Sequence, residues 1–273
     1  MTVRVVTDSA AALDAETAAR HGIVVVPILI TIGDTTYRDG ELPMRQLLDR
    51  IGEGVTTSGP APGAFARALA DAGEGAVVVT VAGTLSSTHQ SATIAGRDVA
   101  APVQVVDSGS AAGAQALVAI HAARRAAAGG TVAEVADAAR MAAERVRLIG
   151  ALDTLQFLVR SGRVPGLVGT IAGTLGVRPL FELRDGRVIR LRPAFSRSSA
   201  MQRIVAAFHR SRPDGGVAHC AAVHAAAEED ARRLLEGIGA GAATALVTGF
   251  GPGMVAHTGP GVVGLAWWWE DPA

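Results

Sequence analysis

Lysine is absent from the 273 residues: all 25 basic residues are arginine. The lysine of a phosphate-binding loop, the strand lysine of a protein kinase and any Schiff-base or pyridoxal-phosphate lysine are therefore excluded. Cysteine is almost as scarce. With Cys220 alone, no intrachain disulfide forms and no pair of thiolates is available to a metal. Within the apolar segment 217–223 it reads as a small buried residue. No apolar run reaches the ~18 residues of a transmembrane span, and the start, Met-Thr-Val-Arg-Val-Val-Thr-Asp-Ser, lacks the apolar stretch of a signal peptide. A cytoplasmic protein is the expectation. Net charge is missing too, because 25 basic residues face 25 acidic ones, so nothing marks a partner such as nucleic acid or an anionic membrane.

What is present suits a packed core, with 49% of residues hydrophobic and 18% charged. The length passes the ~250 residues near which single cores stop growing, which predicts two domains. Segment 3–7 reads as a strand, followed by a helix that starts near Asp14 and stops at Gly22. Residues 23–32 are β-branched and apolar, but Pro27 cannot donate to a ladder, so they read as an edge strand or two short strands. A loop is expected over 37–43 and a helix over 44–52. A turn then covers Thr56 to Gly63, before a helix from about Ala64. Strands at 76–82 and 103–107 flank a helix from His89 to Val99, a βαβ unit with a right-handed crossover. The next helix ends at Gly129-Gly130, and Thr131-Val132-Ala133-Glu134 is a capping box for another. Residues 1–150 thus read as a doubly wound α/β domain. Over 151–273 the pattern changes to a short helix (153–160), a hairpin of 177–183 and 187–193 around Arg184-Asp185-Gly186, helices at 199–211 and 226–237, strands at 217–223, 243–248 and 262–269, and a Gly-Pro-rich turn at 249–261. An α+β second domain is expected.

The sequence Gly251-Pro252-Gly253-Met254-Val255-Ala256 matches the dinucleotide fingerprint, but a second Gly-Pro-Gly at 259–261 and the few residues beyond it leave no room for the helix and strands that fold requires. No GxSxG elbow is present, and none of the seven histidines has the i, i+4 spacing of a helical metal site. His257 stands apart, since nothing local requires a histidine among glycines and prolines. Two clusters of hydroxyls remain. Thr56, Thr57 and Ser58 precede one helix, and Ser86, Ser87 and Thr88 precede another. One capping residue suffices at a helix start, so three at each exceed that need. Loops at the carboxyl ends of parallel strands are where open α/β sheets bind ligands, and hydroxyls beside a helix N-terminus suit a carboxylate or phosphate.

These residues carry a family resemblance. Asp8-Ser9, Thr57-Ser58-Gly59-Pro60, Leu85-Ser86-Ser87-Thr88 with Gln90-Ser91-Ala92, Val106-Asp107-Ser108, Thr154-Leu155 with Gly162-Arg163-Val164, Pro179-Leu180 and His257-Thr258-Gly259-Pro260-Gly261 occur in order. Over residues 3–266 the set resembles the DegV family of bacterial fatty-acid-binding proteins. The resemblance implies two α/β domains with one long-chain fatty acid, such as palmitate or oleate, between them. It further implies that the carboxylate is presented to a separate fatty acid kinase, which makes acyl phosphate for phospholipid synthesis. The binding protein then has no catalysis, cofactor or metal of its own. Thr57 and Ser86 would hold the carboxylate, with Ser58, Ser87 and His257 beside them. The chain departs from the pattern at Gly59 (usually Gln), Ser87 (Gly), Ser161 (Gly) and Phe195 (Arg).

Apolar residues Leu155, Phe157, Leu158, Leu167, Val168, Ile171 and Leu175 are candidates for the wall of a lipid tunnel. Two other functions stay open: acyl or phosphoryl transfer by Ser86 or Ser87 with His257, and carriage of another anionic amphiphile such as an isoprenoid phosphate.

Overall fold

A computed structural model describes residues 2–163 and 177–272. The chain opens with β1 (Arg4–Asp8), α1 (Ala15–Arg20) and β2 (Ile23–Val26). The Asp14 carboxylate accepts from the Thr17 N–H to start α1, and Gly22, at φ 63°, turns the chain into β2. At Pro27 the apolar run breaks in two. β2 stays beside β1, whereas β3 (Leu29–Ile32) leaves for a small antiparallel sheet with β4 (Thr35–Arg38) and β5 (Thr56–Ser58), in the order β4-β3-β5. A residue without an N–H cannot continue the ladder. Two expectations are corrected here. Tyr37 and Arg38 belong to a strand rather than a loop, and Thr56–Ser58 form a strand rather than a turn. Both gain their partners from β3, which local pattern does not reveal.

Between them lies α2 (Met44–Arg50), and after them come α3 (Pro62–Leu69), β6 (Ala76–Thr80), α4 (Thr88–Arg97), β7 (Val103–Asp107), α5 (Ala112–Ala127) and α6 (Val132–Arg145). Four strands form a parallel sheet in the order β2-β1-β6-β7. Alternate residues bury opposite faces: Val6 and Val78 pack with Phe65 and Leu69 of α3 and Ala92 of α4, while Val5, Val77 and Val79 pack with Leu117 of α5 and Val135 of α6. This is the doubly wound layer structure that the sequence predicts. The Thr131–Glu134 capping box is also present.

The remaining elements are β8 (Arg147–Ala151), α7 (Gln156–Arg160), β9 (Arg178–Arg184), β10 (Arg187–Ala194), α8 (Arg197–Arg210), β11 (Val217–His224), α9 (Glu228–Ile238), β12 (Thr244–Gly249), α10 (Pro252–Thr258) and β13 (Val263–Glu270). A mixed six-stranded sheet, β10-β9-β8-β13-β11-β12, takes its strands from Arg147 onward. β9 and β10 pair as the expected hairpin, turning at Asp185 (φ 51°) and Gly186 (φ 70°). One face of this sheet packs on α8 and α9 through Phe208, Leu234 and Trp267. Trp267 and Trp269 both donate to the Ser211 hydroxyl, and Trp268 is fully buried, so the three tryptophans are packing residues. Cys220 is fully buried, and desolvation pushes its thiol up to about 12, consistent with an inert core residue.

The Gly-Pro segment 249–261 is not a turn. Pro252 starts α10 at a position where its missing N–H costs nothing, and Gly259, at φ 73°, ends it. His257 therefore sits in the last turn of a helix. Among the described residues, no helix is long and apolar enough to cross a membrane.

Helix α5 lies between the two large sheets, packing on β1 and β6 from one side and on β11 and β13 from the other. Gly113 makes the second contact close, since a Cβ there would stand 2.7 Å from Val223 Cγ1 and 2.8 Å from Ala221 Cβ. Gly113→Ala is expected to cost about 1–3 kcal/mol through overpacking, read as a lower urea midpoint; an unchanged midpoint would show that α5 can shift freely against the sheet.

Candidate ligand-binding site

β5 carries Thr57 in register with Ile30 of β3, and α10 brings His257 to it, so that Thr57 Oγ1 and His257 Nε2 lie 2.6 Å apart. Burial, reinforced by the positive charge of Arg163, lowers His257 from 6.5 to about 4. The imidazole is therefore neutral at neutral pH. Just past β5, Gly59 meets the start of α4: a Cβ on it would stand 2.6 Å from Thr88 Oγ1. The Ser86 hydroxyl bonds to the same Oγ1 at 2.8 Å and accepts from the Thr88 N–H at 3.3 Å. Thr57 and Ser86, far apart in sequence, thus reach one place through Gly59 and Thr88. The glycine at 59 is what lets β5 lie so close.

Arg163, just past α7, joins them. Its guanidinium donates to the carbonyls of Ser161 at 2.9 Å and Thr57 at 3.4 Å. No carboxylate among the described residues pairs with it, and burial lowers its pKa. The sequence marked Arg163 only as part of Gly162-Arg163-Val164, without a role; its position beside Thr57 depends on how α7 docks.

Thr57, Ser58, Ser86, Arg163 and His257 all line one cavity of about 880 Å³, a volume that includes solvent at its mouth. Its other walls are apolar and come from the carboxyl end of the parallel sheet (Val81), the start of α5 (Ala111, Ala112) and the six-stranded sheet (Leu148, Phe181, Leu183). Ser87 is exposed, makes no capping bond to α4 and does not line the cavity. Of the expected tunnel residues Leu158 lines the cavity, while Phe157 packs on Gly259 and Leu155 joins the core. Leu167, Val168, Ile171 and Leu175 lie outside the described residues.

A second layer of polar groups fixes these elements. Asp8 is fully buried and accepts from the N–H groups of Ala10 and Val81 and from the Gln115 amide, with desolvation raising its pKa to about 6. Ser9 donates to Asp39 at 2.8 Å and accepts from the Ile28 N–H at 3.1 Å. Asp39 in turn accepts from the Gly253 N–H at 3.2 Å, at the start of α10. The Asp8-Ser9 pair is scaffold; Asp39 carried no signal in the sequence.

The DegV family model, described as "Uncharacterised protein, DegV family", matches residues 2–270. The chain belongs to the DegV family. A DegV domain-containing protein of Streptomyces coelicolor is 36% identical over 275 residues, covering 96% of this chain and 97% of the relative. One from Mycobacterium bovis is 34% identical over 278 residues, covering 97% and 96%. Among solved structures, a DegV family protein of Thermus thermophilus described for its fatty acid binding superposes with a TM-score of 0.90 at 26% identity, covering 99% of this chain and 100% of the other. DegV of Bacillus subtilis, described as a fatty acid binding protein, gives 0.86 at 25% identity and covers 99% and 100%.

The neutral His257 sets a pH dependence. Between pH 6.5 and about 4 the unfolded chain holds a proton on this imidazole that the folded chain does not, so stability falls as pH drops through that window, by on the order of 3 kcal/mol in full. In lipid-free protein His257→Gln is expected to remove this part of the slope, measured by urea unfolding at several pH values; equal slopes would show the imidazole to be solvated.

Proposed function

We propose that this DegV protein binds one long-chain fatty acid, with its carboxylate at Thr57 and Ser86 and its acyl chain in the apolar cavity. His257 and Arg163 complete the headgroup site, and Ser58 stands at its rim. The proposal includes presentation of the carboxylate to a separate fatty acid kinase in the cytoplasm, with no catalysis by the binding protein.

The observation that carries it is a single cavity, apolar over most of its wall, that closes on two hydroxyls, a neutral imidazole and a guanidinium without a carboxylate partner among the described residues. A half-buried cation is costly unless an anion meets it. A fatty acid supplies that anion and an apolar chain together. Burying ~15 methylenes at about 0.8 kcal/mol each contributes on the order of 12 kcal/mol, against an association cost of ~4–15 kcal/mol, which together with the headgroup contacts supports micromolar or tighter binding. The fatty-acid-binding relatives from Thermus thermophilus and Bacillus subtilis support the same ligand class.

Transfer chemistry by Ser86 or Ser87 with His257 has less support. The imidazole Nε2 is engaged by Thr57, the Ser86 hydroxyl by Thr88, and Ser87 stands outside the cavity. A nucleophile and its base need direct contact.

Mass spectrometry of lipid extracted from the purified protein should find fatty acids, and the lipid-free protein should bind palmitate or oleate. Thr57→Val and Ser86→Ala are each expected to weaken that binding about ten- to a hundredfold, since hydrogen bonds to a charged group are worth ~1.5–3 kcal/mol. Absence of both copurified and added fatty acid would overturn the proposal, and recovery of another anionic amphiphile would replace its ligand.

A further inference from the structure

The apolar wall that the six-stranded sheet gives the cavity has a shape of its own. Cross-strand register on the six-stranded sheet puts Val223, Gly264, Gly150, Phe181 and Arg190 in one row across β11, β13, β8, β9 and β10. Residues directly opposite one another in register present their side chains to the same face. The adjacent row on that face holds Leu148, Leu183 and Val188, all of which line the cavity. Ala221 and Ala266 continue that row, so the two glycines side by side leave a trough next to Leu148 and Leu183, and glycine inside a strand marks close approach of another group.

That group is Phe181. A Cβ on Gly150 would stand 2.7 Å from Cε1 and Cζ of the ring, so the ring lies over Gly150. Phe181 also lines the cavity and is half-buried, whereas its neighbours Leu180 and Leu183 are buried. Beyond Gly264 the trough is closed, because Val223 is held under α5 by its contact with Gly113. An apolar pocket closed in this way stays dry and admits hydrocarbon rather than water.

We propose that Phe181 sets the acyl-chain length this protein accepts, its ring standing in the Gly150–Gly264 trough as the floor of the cavity. The inference rests on the fatty-acid reading and adds the residue that decides specificity within that ligand class. Two substitutions move the floor in opposite directions. Phe181→Ala vacates the trough, and each further methylene it admits tightens binding about fourfold. Gly150→Ala places a methyl under the ring and drives it into the cavity, which shortens the chain that fits.

The test is titration of lipid-free, full-length protein with a homologous series of saturated straight-chain fatty acids. The chain length bound most tightly should increase in Phe181→Ala, decrease in Gly150→Ala and lie between wild type and Phe181→Ala in Phe181→Leu, whose smaller change protects the fold. An optimum that is the same in every variant that binds, or that moves in one direction for both Phe181→Ala and Gly150→Ala, overturns the inference. Wild-type protein that binds no member of the series overturns the fatty-acid reading itself, which is a different result.

Discussion

A threonine hydroxyl and an imidazole 200 positions apart meet at 2.6 Å, and keeping them there requires β5 and α10 to be fixed against each other. Neither is stable alone: β5 has three residues and α10 seven, and a two-turn helix is marginal in water. Their strength is borrowed. Pro27 sends β3 out of the parallel sheet to pair with β5, while Asp39, beyond the end of β4, accepts from the backbone of α10 and is itself held by Ser9. Gly253 lets the helix lie flush on Ile28. The pair therefore depends on a chain of contacts that runs back to the end of β1.

Electrostatics follow the same division between scaffold and site. Asp8 and Asp39 are carboxylates taken out of water, and burial raises the pKa of each, yet backbone and side-chain donors meet their oxygens. They act as internal pegs. Among the described residues Arg163 donates to carbonyls alone, and its charge helps to keep His257 neutral. The molecule thus satisfies its buried anions internally and leaves a cation facing the cavity. A carboxylate entering there would meet donors already in position, without the reorganisation that makes binding of a charged group expensive.

Much of this was legible in the residues. The parallel strands, the capping box, the Asp185-Gly186 hairpin and the two rows of hydroxyls are local patterns, and local patterns follow from dihedral preference and periodicity. Thr57, Ser86 and His257 were recognisable because they exceed what capping or a turn requires. Three features were misread for one physical reason. Thr56–Ser58 and Tyr37–Arg38 become strands only because β3 supplies hydrogen-bond partners, and α10 persists as a helix because Asp39 and Ile28 receive it. Ser87 looked equivalent to Ser86, but it is exposed and only Ser86 lines the cavity.

By itself the sequence determined the family, through motifs spread along its length, the strands and helices of the parallel sheet, and the residue types available, which include no lysine and a single cysteine. The last two depend on composition or on neighbours a few positions away. Tertiary structure decided which of those residues meet: that His257 faces Thr57, that Arg163 reaches the Thr57 carbonyl, that Asp39 is a peg, and that the Phe181 ring lies over Gly150. Those outcomes depend on how sheets register and how α5 separates them, and such long-range packing is set by the whole chain at once.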